Sequence, residues 1–144
     1  TPTPATPPAS TSPTPMEKTH GRLIDNGDGT VTHEKAGLMW ARKDSYAEEE
    51  ECITWEGAGE YVEKMKTGGH DDWRLPTVEE LGSIAAKSAW NWSAVFVNGD
   101  SRAVHWSSEE AGSCCARAVL FTSGIVTGPS RGACSTESVR AVRP

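Results

Sequence analysis

Acid–base chemistry needs a histidine or a carboxylate within reach of a second titratable group. The chain offers His20, His33, His70 and His105 among 20 Asp and Glu residues. None of them falls into a spacing that carries a known reaction. There is no GxSxG elbow, no HExxH, no GxxxxGK followed by Ser or Thr, and no GxGxxG after a strand. The expectation is a non-enzyme that holds no metal and no cofactor. The four cysteines, Cys52, Cys114, Cys115 and Cys134, form no CxxC pair, so zinc ligation is the weaker reading and disulfides the better one. Disulfides place the protein in an oxidising compartment. The stretch ending at Cys134 reads as a hairpin that brings its ends together. Cys134 is therefore expected to pair with Cys114 or Cys115, and Cys52 with the one left over. A vicinal Cys114–Cys115 bridge stays open as the rarer, strained alternative.

Aromatic residues supply the other chemistry. Trp90 and Trp92 stand at i and i+2 in AWNWSAVF, so an extended chain turns both indoles to one side. Buried, they close a core under a long loop; exposed, they make a platform that stacks on sugar faces or anchors a protein interface. Asn91-Trp92-Ser93 also matches the short acceptor pattern for N-glycosylation. Trp40, Trp55, Trp73 and Trp106 read as core, since each supplies a large apolar area in a chain whose apolar fraction is 36%. Arg74, between Trp73 and Leu75, is expected to stack on an indole and bridge Asp71 or Asp72, tying its loop to the sheet.

The elements that must position these groups are legible from local signals. Arg22 to Asp25 and Thr30 to His33 flank Asn26-Gly27-Asp28-Gly29, a turn sequence that tolerates positive φ, which predicts a β-hairpin. Counting from Asp25, glycines fill the third and fifth places, which excludes an EF-hand loop. Gly37 to Ala41 reads as a short strand. Trp55, Ala58, Val62 and Met65 trace one face of a helix that ends at Gly68-Gly69. Thr77 and Glu80 form a capping box for a second helix with Val78, Leu81, Ile84 and Ala85 as its apolar stripe. Beyond it the pattern predicts strands at Val104 to Ser108, Ala118 to Thr122, Ile125 to Thr127 and Ser138 to Arg143. Strands, two helices, then strands predict an α+β domain with a mostly antiparallel, twisted β-sheet.

Residues 1–15 are set apart by composition. They hold 6 of the 9 prolines, 5 threonines and no charge, the makeup of an extended arm or an O-glycosylated stalk. Residues 16–144 then form one domain, large enough to bury its own core. No apolar run approaches the ~18 to 20 residues of a membrane-spanning helix. The net charge of -6 is uneven, with 16 acids and 8 bases from Met16 to Glu80 against 4 and 6 from Leu81 onward. No Lys/Arg cluster marks a nucleic-acid partner.

Arg22-Leu23-Ile24-Asp25-Asn26-Gly27-Asp28-Gly29-Thr30-Val31-Thr32, Gly37-Leu38-Met39-Trp40, Asp72-Trp73-Arg74-Leu75-Pro76-Thr77 with Glu80-Leu81, Trp106-Ser107-Ser108 and Val139-Arg140-Ala141-Val142-Arg143 follow one another in order. Together they resemble the Lcl C-terminal domain family, named for a bacterial collagen-like surface adhesin, from about Arg22 to Arg143. The resemblance implies a C-type-lectin-like fold, related to formylglycine-generating enzymes and to hypervariable phage receptor-binding proteins. It also implies an exported, cell-surface setting and a recognition role toward glycan or protein ligands. Many relatives have a cysteine where this chain has Ala141, so the local cysteine cluster is a feature of its own. On that resemblance and the aromatic and basic residues of the second half, ligand binding is expected on loops Lys87 to Arg102 and Glu109 to Arg117, through Trp90, Trp92, Arg102 and His105. Some relatives recognise sulfated glycans, a ligand that the acidic net charge disfavours. The alternative expectation is a structural subunit of an extracellular filament or pilus, with the Pro/Thr arm as an ordered connector.

Overall fold

A computed structural model of the chain describes residues 22–85, 95–100 and 102–144. The Pro/Thr arm, Trp90 and Trp92 therefore lie outside the described residues. The predicted hairpin is present as β1 (Leu23–Asp25) and β2 (Thr30–His33), in register Leu23 to His33 and Asp25 to Val31. Its turn holds itself through side chains: Asp25 Oδ1 accepts from the Gly27 N–H at 2.9 Å, and Asp28 Oδ1 accepts from the Thr30 N–H at 3.1 Å. Gly27 and Gly29 take φ of 81° and 91°, the left-handed region that a side chain would resist. β3 (Leu38–Ala41) pairs antiparallel with β2, and on its other side with β8 (Val142–Arg143), giving a four-stranded sheet in the order β1-β2-β3-β8.

Three helices follow among the described residues: α1 (Ser45–Glu49), α2 (Trp55–Lys64) and α3 (Val78–Ile84). Ala58, Val62 and Met65 of the predicted α2 stripe are buried. The capping box of α3 is complete, with Thr77 Oγ1 accepting from the Glu80 N–H and Glu80 accepting from the Thr77 N–H. A second four-stranded sheet, ordered β6-β5-β4-β7, is built from β4 (Val104–Ala111), β5 (Cys115–Leu120), β6 (Val126–Thr127) and β7 (Glu137–Ser138). β4 and β5 are antiparallel with a register shift between Trp106 and Glu110, whereas β7 runs parallel to β4.

The α+β class stands, but the arrangement is two curled sheets and three helices where one sheet and two helices were expected. α1 has no apolar stripe of its own to announce it; its five residues are stabilised from outside, by the side chain of Asp44. The expected last strand, Ser138 to Arg143, is split between the two sheets, because Arg140 turns inward and diverts the backbone.

Two apolar clusters fill the interior. Trp40, Leu81, Ile84 and Phe121 are central to the first, and Val62, Trp73, Trp106 and Val139 to the second. Trp40, Trp73 and Trp106 are core as predicted, whereas Trp55 is only half-buried. Arg74 ties its loop to the first sheet through its backbone, exchanging hydrogen bonds with Val142 at 2.9 and 3.0 Å. Its side chain departs from the expectation: it forms a two-pronged bond with Glu80, 2.8 Å on each arm, and Asp72 is taken by Arg143 instead. Glu80 is the third residue of α3, and the capping box that makes it accept from the Thr77 N–H fixes its carboxylate beside the guanidinium.

The cysteine pairing also differs from the expected one. Cys52 bonds Cys134 and Cys114 bonds Cys115. The segment after β6 does return to the β4–β5 hairpin, but it makes contact at residues 130–131, through a Cys115–Ser130 bridge and the Arg131 N–H to Cys114 O bond at 3.0 Å. It then runs on toward the start of α2, where Ile53 N–H bonds Glu137 O and Trp55 N–H bonds Arg131 O. Cys134 is thereby delivered to Cys52.

Candidate functional site

The end of β3 leads into Asp44, the N-cap of α1, and there the chain buries charge. Asp44, His105 on β4 and Arg140 between β7 and β8 are all fully enclosed. Asp44 Oδ1 accepts from the Ala47 N–H at 2.8 Å and from the Gly99 N–H at 3.1 Å. Its Oδ2 accepts from His105 Nε2 at 3.0 Å and faces Arg140 Nη2 at 3.9 Å. Arg140 donates to the carbonyls of Ala41, Arg42 and Val97 and to Asn98 Oδ1. Its guanidinium is clasped between the rings of Phe96 and Phe121, 4.7 and 4.9 Å from their centroids.

The electrostatics follow from this geometry. Burial pushes the Asp44 carboxyl upward, but the bond from His105, the positive charge of Arg140 and the Ala47 N–H outweigh it and hold the group at about 2. Burial dominates for His105, whose pKa is lowered; the ring is neutral at pH 7 and donates from Nε2. Burial also lowers Arg140, to about 10, so it remains charged at neutral pH. One carboxylate and one guanidinium thus compensate each other in the interior, with a neutral imidazole between carboxylate and core.

This cluster holds the irregular segment 96–100. The Val97 N–H donates to Arg42 O at 2.8 Å and Val97 O accepts from the Asp44 N–H at 3.2 Å, Gly99 packs so close to α1 that a Cβ would stand 2.4 Å from Ala47 N, and Ala103 is buried with φ of 47°. A non-glycine residue in that region is costly and is kept only where the surroundings fix it. Arg102, at the rim of this segment, is exposed. His105, expected beside it on the binding face, is not there. On β4 its ring turns inward against Phe121, centroids 4.8 Å apart, so it supports the surface from below and touches nothing outside.

Among the described residues, Arg102 and the hairpin tip of Glu109 to Arg117 stand at opposite ends of β4. Val104 and Ala111 are the two ends of β4, roughly 23 Å apart at the usual strand rise. The segment carrying Arg102 lies at one end, with Trp90 and Trp92 in the undescribed stretch that leads to it. The hairpin tip of Glu109 to Arg117 lies at the other. A separate groove of about 460 Å³ runs between α1 and α2, lined by Glu48, Glu49, Glu60, Tyr61 and Lys64 among others. Burial, with Glu48 and Glu49 behind it, pushes the Tyr61 hydroxyl up to about 12. Among the described residues no group of three or more His, Cys, Asp or Glu side chains is arranged to hold a metal ion.

A model of the Lcl C-terminal domain matches residues 29–143, most of the chain. The protein belongs to the Lcl C-terminal domain family, a family of bacterial surface-protein domains. Among curated proteins nothing matches it. Among the described residues no helix is long and apolar enough to cross a membrane.

Proposed function

We propose that this domain is a non-enzymatic recognition module of an exported bacterial surface protein, binding glycan or protein ligands at the Arg102 end of β4 on a C-type-lectin-like fold. The observation that carries the reading is the Asp44–His105–Arg140 cluster. Buried charge is expensive, and here its hydrogen bonds go to Val97, Asn98 and Gly99, fixing an irregular loop rather than opening onto a cleft. Rigid scaffolds that present fixed loops are how such domains bind. The same burial speaks for a non-enzymatic role, because the His105–Asp44 pair has no path to a substrate. Trp90, Trp92 and Arg102 are the proposed contacts, and the family membership and the Cys52–Cys134 disulfide support an extracellular setting. The test compares binding to glycan arrays and matrix proteins by the parent chain, by Trp90→Ala with Trp92→Ala, and by Arg102→Ala. Loss of about tenfold or more in each variant, at unchanged melting temperature, is expected for contacts of this kind. Equal binding by a folded double variant refutes the assignment.

A second reading, a subunit of an extracellular filament, is favoured by the outer edge of the second sheet, where Val126 of β6 and the preceding Ile125 are 44% and 59% exposed and β6 has no strand on its outer side among the described residues. Light scattering and negative-stain microscopy decide it. A monodisperse monomer at high concentration eliminates the filament, and assembly abolished by Val126→Lys supports it.

A further inference from the structure

The cysteines of the β4–β5 hairpin staple nothing. Cys52–Cys134 joins positions 82 residues apart, whereas Cys114–Cys115 spans one peptide bond and removes almost no freedom from the unfolded chain. Stability therefore does not account for the second bond, and its surroundings suggest another use. Cys114 is exposed at the hairpin tip and Cys115 is half-buried beneath it. Their Cα atoms are held 3.7 Å apart, short of the roughly 4.4–6.8 Å over which disulfides close most favourably. Cys52 and Cys134, at 5.2 Å, lie within that span, and the Ile53–Glu137 and Trp55–Arg131 backbone bonds keep them together.

Arg131 completes the arrangement. Its Nε donates to Cys115 O at 3.2 Å, its Nη2 to Gly112 O at 2.9 Å, and its backbone N–H to Cys114 O at 3.0 Å. The guanidinium is stacked on Trp55, 4.9 Å from the ring centroid, and meets Glu110 at 3.3 Å. A permanent cation is thus fixed on the Cys115 carbonyl, while the Arg131 backbone N–H holds that of Cys114, and a nearby cation stabilises a thiolate.

We infer that the Cys114–Cys115 disulfide is a thiol-exchange site that captures a thiol-bearing ligand reversibly, independent of whatever the Arg102 end of β4 binds. The thiolate of the ligand attacks the exposed Cys114 Sγ. The Sγ–Sγ bond breaks, its electron pair leaves on Cys115 Sγ, and Arg131 stabilises the thiolate so formed. The product is a mixed disulfide between the ligand and Cys114, with Cys115 as thiolate. Return attack by Cys115 on Cys114 closes the ring and expels the ligand thiolate. No net electrons enter or leave in either direction. Arg131 acts as a positioning residue.

The experiment treats the folded full chain with reduced glutathione at neutral pH under argon, quenches with acid, alkylates and maps the cysteine peptides by mass. Glutathione on Cys114, alkylation on Cys115 and an intact Cys52–Cys134 bond are expected. Arg131→Gln should slow opening by about three- to tenfold while Arg131→Lys retains most of the rate, as a change in leaving-thiol acidity requires. The proposal is overturned if Cys52–Cys134 opens as fast, or if glutathione joins Cys114 only after the chain is unfolded in urea. Equal rates for Arg131→Gln and the parent remove Arg131 from the mechanism. An unchanged melting temperature, followed by circular dichroism, reports that each variant was folded.

Discussion

Replacing Asp44 by Asn keeps the shape and an acceptor oxygen for the Ala47 N–H, but removes the charge that Arg140 faces. The magnitude can be worked in two ways. A carboxyl held at about 2 against an ordinary 3.8 is stabilised by just under two pKa units, about 2 kcal/mol at neutral pH. Removing one partner of a buried pair costs about 3–5 kcal/mol, because the other charge is left without compensation. A loss of about 2–5 kcal/mol at pH 7 is therefore expected, or roughly 3 °C of melting temperature for each kcal/mol at this size. The sign of the pH dependence follows. Asp44 is depressed in the fold, so its stabilisation is complete above the unfolded value near 3.8 and is lost as pH falls toward 2. Urea unfolding of parent and Asp44→Asn, with disulfides intact, at pH steps from 7 to 2 should show two curves that converge below pH 4. A variant within about 0.5 kcal/mol of the parent at pH 7, the usual range for an inconsequential surface change, would refute the reasoning. So would a gap that persists unchanged to pH 2.

His105 is also depressed, so below pH 6.5 the unfolded chain binds a proton that the folded one refuses; stability should fall on acidification from that point, and His105→Gln should flatten this part of the urea profile. Replacing Cys52 and Cys134 by Ser should cost about 4 kcal/mol by the loop-closure estimate, against about 1 kcal/mol for Cys114 with Cys115, as read from calorimetric melting. Gly68→Ala should cost more than 1 kcal/mol in denaturant unfolding, since its φ of 65° is left-handed and a Cβ would sit 2.7 Å from Thr30 Cγ2. Thr77→Ala should cost about 1 kcal/mol in the same assay by emptying the α3 cap.

What the sequence disclosed was local. The Asn26–Gly29 turn, the α2 stripe and the Thr77–Glu80 box each specify their element within a few residues, and each element formed there, though α2 stops at Lys64 and the Gly68-Gly69 pair that was expected to end it closes a separate 3-10 turn, Thr67–Gly69. α1 was hidden because Glu48 to Glu51 resembles a solvated acidic run, and its stabilising contact comes from a side chain whose other partner, His105, is 61 residues away. The same distance concealed the buried cluster: Asp44 and Arg140 look like ordinary surface charges until the two sheets bring them together. Cysteine spacing carried the fact of bonding but not the partners, which depend on where residues 130–137 pass. The inward turn of His105 ran against strand alternation, which sets it on the face opposite the core residue Trp106. Yet both proved buried, because β4 is covered on both sides.

The placement of residues 139–143 has a consequence for biosynthesis. Val139 and Ala141 belong to one interior cluster, Val142 to the other, and β8 lies between β3 and the backbone of Arg74. Arg140 neutralises Asp44 from within the same stretch. During synthesis the hairpin, the helices and β4–β5 all emerge before these five residues, and until they arrive both interiors gape and a buried carboxylate lacks its counter-charge. Vectorial folding therefore stops short of the native state, and the polypeptide stays pliable until this segment is made.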